Sequence, residues 1–204
     1  IMKLRQQIVL IVITVLMSAC SSQKPMPAVD YVDLERFMGD WYVIANIPTF
    51  LEKDAYNPVE SYRLDSDGSV ATTFSFNAGS LRGEKKIYNP RGFINDKTSN
   101  AIWGMQFVWP IKADYRIVYL DDAYQQTIIG RTSRDYVWVM ARTAQISDQD
   151  YSALVSRVSE LGYDIELLQK AVHTVSKPVS LPEAITVEKV EYSAITRGKS
   201  ERAV

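Results

Sequence analysis

A rhythm of short strands that switches once to a helix constrains this chain more than any other feature. From residue 33 to about 143, apolar and aromatic runs recur roughly every ten to fifteen residues with turn residues between them. The runs are 41–47, ended by Pro48; 60–64, which stops at the hairpin-type turn Asp65-Ser66-Asp67-Gly68; 70–77; 84–94, broken at Asn89-Pro90; 101–109; 115–120; 124–130; and 136–142. Residues 49–58 read as a longer irregular connection. After Ile146 the period changes. Ser147 or Asp148 can cap a helix that places Tyr151, Leu154, Val155, Val158 and Leu161 on one face, and Gly162 can end it. A short apolar element is expected over 165–172. Eight strands in series, then one amphipathic helix, predict an all-β meander that closes into a barrel or packs as a sandwich.

Composition removes most chemistry. The 204 residues hold 23 Lys+Arg against 24 Asp+Glu, so the basic surplus of a nucleic-acid binder is missing. Twelve Tyr, four Trp and six Phe supply bulk for a core. Cys20 and His173 are single, which excludes a disulfide framework, a Cys/His zinc site and a Cys–His couple. No catalytic constellation, metal site or cofactor is expected. Asp121 and Asp122 sit in a turn, where acids bond to backbone.

The N-terminus reads as an address. Lys3 and Arg5 precede an apolar run at 8–17, which is too short to span a bilayer and suits the core of a signal peptide. Met17-Ser18-Ala19-Cys20 resembles the bacterial lipobox, although the family prefers Leu where Met17 stands. The resemblance implies cleavage before Cys20 and acylation of its thiol and new amino terminus, giving a stable anchor. Ser21 in the following position resembles an outer-membrane sorting signal. Residues 1–19 are thus read as a lipoprotein signal peptide and 20–31 as anchor and tether. Residues 32–173 are read as the folded domain. Residues 174–204 form a C-terminal extension, partly disordered, with a candidate strand at 185–192 and a basic end at Arg197, Lys199 and Arg202.

Three motifs then select among small barrels. Gly39-Asp40-Trp41 opens the first strand, Asp121-Asp122-Ala123-Tyr124 joins the sixth to the seventh, and Arg142 ends the eighth just before the helix. In this order they resemble the conserved regions of the lipocalin family, most closely its bacterial outer-membrane lipoproteins; Arg134-Asp135-Tyr136-Val137-Trp138 and Leu161-Gly162-Tyr163-Asp164 are similar to that group. The resemblance implies an eight-stranded antiparallel up-and-down β-barrel with a C-terminal α-helix packed on its outside. It also implies a structural role for Gly39, Trp41, Asp121, Tyr124 and Arg142, with the Arg142 guanidinium lying over the Trp41 ring at the closed end.

Strands alternate faces, and the bulkier set is assigned inward. That gives Phe74 and Phe76; Trp103, Met105 and Phe107; Tyr115, Ile117 and Tyr119; and Trp138 and Met140 as the cavity lining. No inward position so assigned carries a fixed charge, so a ligand's charged head is expected at the rim, near Phe50, Lys53 and Tyr56. Such walls suit a lipid or fatty-acid-like ligand. The expected function is a membrane-anchored, non-catalytic carrier of fatty acids, lysophospholipids or similar amphiphiles for storage, repair or transfer. It would be attached to the periplasmic face of the outer membrane through acylated Cys20. The alternative is a tethered interaction module whose barrel is largely filled. An isologous homodimer is compatible with the sequence but not signalled by it.

Overall fold

The computed structural model describes residues 25–174. A one-turn helix, α1 (Leu34–Phe37), capped by Asp33, leads into β1 (Gly39–Ile47). There follow β2 (Ala55–Leu64), β3 (Ser69–Ala78), β4 (Lys85–Tyr88), β5 (Arg91–Ile94), β6 (Ile102–Val108), β7 (Ile111–Leu120), β8 (Gln126–Gly130) and β9 (Val137–Ala141). Pairing is antiparallel around the sheet, and β1 pairs with β9, which closes it. β4 and β5 both pair with β3 and form one stave interrupted at Asn89-Pro90, so the barrel has eight staves.

Helix α2 (Asp148–Glu160) starts at Ser147, whose hydroxyl accepts from the Asp150 amide. It ends before Gly162, whose φ of +86° is a conformation that side-chain-bearing residues resist. Leu154 and Val158 of α2 are buried against Ile44, Ile128 and Val139 on the outer wall. At roughly 25 cal/mol per Å² of apolar surface, this second core on the outside of the barrel explains why so many outward residues are apolar. The expected element at 165–172 is a 3₁₀ turn, Ile165–Leu167, and a two-residue strand, β10 (Gln169–Lys170), laid beside β1. His173 fastens the chain to the barrel just beyond β10: its Nε2 lies 2.7 Å from the Val43 carbonyl and its ring meets Tyr42 edge-on. Burial lowers its pKa, against the opposing effect of that carbonyl.

Three stretches differ from expectation, one being β7, which begins at Ile111, four residues before the expected 115–120. The connection 49–58 is shorter than anticipated, because β2 already begins at Ala55. A bulge between Tyr56 and Val59 absorbs Pro58, which has no amide to give the ladder. Tyr124, expected at the start of a strand, is a turn residue with φ of 58°. The expected strand at 185–192, the basic end and the lipobox around Cys20 lie outside the described residues.

Candidate ligand cavity

The two ends of the barrel are built differently. At the end where β1 begins, Arg142 closes the structure. Its guanidinium stands 3.8 Å over the Trp41 ring and donates to the carbonyls of Arg36, Asp40 and Phe37 at 2.8–3.0 Å. The Trp41 indole N–H donates to the Phe37 carbonyl at 2.8 Å, tying α1 beneath the barrel. Gly39, at φ +92°, permits the turn into β1. Asp121 Oδ1 accepts from the amides of Gln125 and Gln126, both at 2.7 Å, and the Tyr124 hydroxyl accepts from the Asp33 amide. The five motif residues therefore cluster at the closed end.

Above them the barrel is solid. Phe37 packs on Trp41, Tyr62 and Trp103 with ring centroids 5.1–5.7 Å apart, and Trp103 stacks on Tyr115. Ile117, Ile129 and Met140 fill the rest of this plug, all fully buried. Trp103, Ile117 and Met140, expected on the cavity wall, do point inward. They belong to the plug, because the rings of α1 and β2 occupy the space beside them.

The upper half is hollow. A cavity of about 540 Å³ opens at the end where β6 turns into β7. Of the residues assigned to it by alternation, Phe74, Met105, Phe107, Tyr115 and Trp138 line it. Phe107 does so from the rim and is 53% exposed. Phe76, on the same face of β3, is buried against Phe74 and Tyr88 and does not itself line the cavity. Tyr119 is a correction. A bulge between Ile117 and Tyr119 shifts the phase of β7, so Tyr119 lies on the outer face with the α2 cluster, under the Arg157 guanidinium at 4.3 Å. At the rim, Phe50 is placed as expected. Lys53 is off the wall, and Tyr56 pairs with Val172 instead.

The absence of inward charge is also corrected. Glu60 and Glu52 are buried and line the cavity. Both oxygens of Glu52 are held: one accepts from the Trp138 indole N–H and the other from the Thr49 amide, both at 2.8 Å. Glu60 sits at the cavity floor and accepts from the Tyr62 hydroxyl, which in turn lies 2.7 Å from the Tyr115 hydroxyl. Burial raises the Glu60 carboxyl to about 7; the Tyr62 hydrogen bond works against this and the nearby Glu52 adds to it. Burial and the same carboxyl push the Tyr62 and Tyr115 hydroxyls well above the ordinary phenol range. The signal for Glu60 was present in the sequence: it shares a strand face with Tyr62, so applying the bulkier-set-inward rule to this strand as well would have turned both inward.

Known proteins share this architecture. A family model described as a lipocalin-like domain matches residues 32–173. Temperature-induced lipocalin-1 of Arabidopsis thaliana is 32% identical over 175 residues, covering 78% of this chain and 89% of the relative. Outer membrane lipoprotein Blc of Escherichia coli K12 is 26% identical over 153 residues, covering 74% and 86%. Among solved structures, insecticyanin from the tobacco hornworm Manduca sexta shares the fold with a TM-score of 0.59 at 15% identity, covering 74% and 86%. The matched segment, the motif cluster at the closed end and the half-hollow barrel agree: this chain belongs to the lipocalin family, in its Blc-like group.

Proposed function

We propose that this lipocalin carries membrane-derived amphiphiles, such as fatty acids and lysophospholipids, while anchored through acylated Cys20 to the periplasmic face of the outer membrane. The observation that carries the reading is the cavity itself: one opening, about 540 Å³, and a wall of Phe74, Met105, Phe107, Val108, Ile111 and Trp138. A volume of this size is typical of small-molecule sites, and each methylene buried in it contributes about 0.8 kcal/mol of gross driving force. The rim supports a lipid source, since Phe50, Val108, Trp109 and Ile111 stand exposed around the opening, Trp109 at 81%. The outer-membrane site is supported by the relatives named as outer membrane lipoproteins and by the lipobox-like Met17-Ser18-Ala19-Cys20. Storage, repair or transfer of lipid are roles open to such a carrier without any catalytic residue.

Native mass spectrometry of the chain carrying Cys20→Ala, purified without detergent, tests the reading. A co-purified single-chain amphiphile at one per barrel is the expected result. Empty protein that also fails to take up a fluorescent lysophospholipid would sink it.

A further inference from the structure

The cavity floor does not suit an acyl tail. Glu60 and Tyr115 line it from β2 and β7, and Thr72 lines it from β3. The strand register places Tyr62 opposite Thr72 and Glu60 opposite Phe74, so the carboxyl and the threonine hydroxyl are diagonal neighbours on one inward face. Thr72 is buried at 3% exposure, and its hydroxyl has no hydrogen-bond partner among the described residues. An unpartnered buried hydroxyl costs free energy that an apolar residue of the same shape would not, so a floor built only for hydrocarbon gains nothing from it. A terminal methyl pressed against this carboxyl and these hydroxyls would desolvate them without replacing their hydrogen bonds.

We infer that the Glu60–Tyr115–Thr72 floor is a subsite for an uncharged hydroxyl at the inner end of the ligand's chain. The inference rests on the amphiphile-carrier reading and adds which amphiphile: an acyl chain polar at both ends, with the hydroxyl inside and the charged head at the rim. The chemistry of the floor supports each part. A ligand hydroxyl can donate to Glu60 and accept from Thr72. An ionised carboxylate would meet Glu60 with Glu52 close by. Among the described residues, the only Lys or Arg on the cavity wall is Arg131, just past the end of β8 at the open end; its Nη1 is 3.0 Å from Asp135 and its buried Nε has no hydrogen-bond partner, which favours a charged head there and not at the floor. Glu60 is diagonal to the unpartnered Thr72 hydroxyl in the strand register, so it is the acceptor placed to share a ligand hydroxyl with it.

A matched pair of ligands tests this directly. Decanoic acid and 10-hydroxydecanoic acid carry the same carboxylate and differ only at the far end. Their affinities for the full chain carrying Cys20→Ala are measured by displacement of the neutral probe N-phenyl-1-naphthylamine, with 10-aminodecanoic acid as a third arm. Hydrophobicity alone ranks decanoic acid first. The floor reverses the order, so the hydroxy acid binds about fivefold or more tighter. Glu60→Leu and Thr72→Val each shrink or reverse that preference, whereas Glu60→Gln, which still accepts a hydrogen bond, retains it. Equal or weaker binding of the hydroxy acid by the unaltered cavity overturns the inference and leaves the carrier reading standing. A preference for the amino acid overturns it in favour of a cationic inner group. If none of the three displaces the probe, both readings fall. The unsubstituted cavity decides the matter by itself, so a variant that fails to fold does not protect the proposal.

Discussion

Arg142 joins three parts of the chain with one planar group. It covers the Trp41 ring and donates to backbone carbonyls of α1 and β1. The Phe37 carbonyl also accepts from the Trp41 indole N–H, so the two motif side chains hold the end of α1 together. Hydrogen bonds from a charged donor contribute about 1.5–3 kcal/mol, and a desolvated cation–π contact up to about 2. Arg142→Ala should therefore lower the free energy of unfolding by roughly 2–4 kcal/mol in urea titrations. Arg142→Lys should recover less than half, since an ammonium lacks the fork that reaches several carbonyls. Glu60 shapes stability differently, through pH. Its carboxyl is raised in the folded protein to about 7 from a reference value of 4.5, so the unfolded chain releases the proton first. Stability is full below about 4.5, falls as pH rises from there to about 7, and is level above. The loss amounts to about 3 kcal/mol. Glu60→Gln should flatten that profile; unfolding curves at pH 4, 5.5 and 7.5 that already coincide in the unaltered protein would contradict the assignment.

At the level of elements, α2 is a brace on the outer wall. Leu154 is buried at its centre and packs among side chains that face away from the cavity. Leu154→Ala should cost about 2–4 kcal/mol by thermal or chemical unfolding, and leave the affinity for a fluorescent lysolipid within twofold. A parallel loss of affinity would show that the brace shapes the cavity as well. This helix was legible in the sequence because its period, its Ser147 cap and its terminating Gly162 all agree. The barrel strands were legible for a similar reason, since turn residues punctuate them. What alternation could not show was where it fails. The bulge in β7 turns Tyr119 outward with no local sign in Ile117-Val118-Tyr119, because β-branched and aromatic residues suit either face once a helix covers the outside. Nor can a period-two pattern tell a cavity wall from a plug. Trp103 and Phe74 are both inward aromatics. Only the Phe37 ring brought up by α1 and the Tyr62 ring of β2 decide that Trp103 is sealed in while Phe74 borders a hollow.

Across the whole molecule, the proposed anchor and the barrel separate along the chain, since Cys20 lies outside the described residues. The motif residues and both apolar clusters lie within residues 25–174, so loss of the Cys20 thiol should leave the barrel intact. Cys20→Ala should give an unchanged near-ultraviolet circular dichroism spectrum, and fractionation should move the protein from the membrane pellet to the soluble fraction. Persistence in the pellet would show that something other than acylation holds it there. The plug beneath the cavity sets the way cargo is exchanged. A vessel with one door cannot conduct, so each occupant has to leave by the route it came, and the next cannot push from behind. Loading and unloading then become one reversible act at a single threshold. The departure rate of a labelled occupant should not depend on how much competitor waits outside.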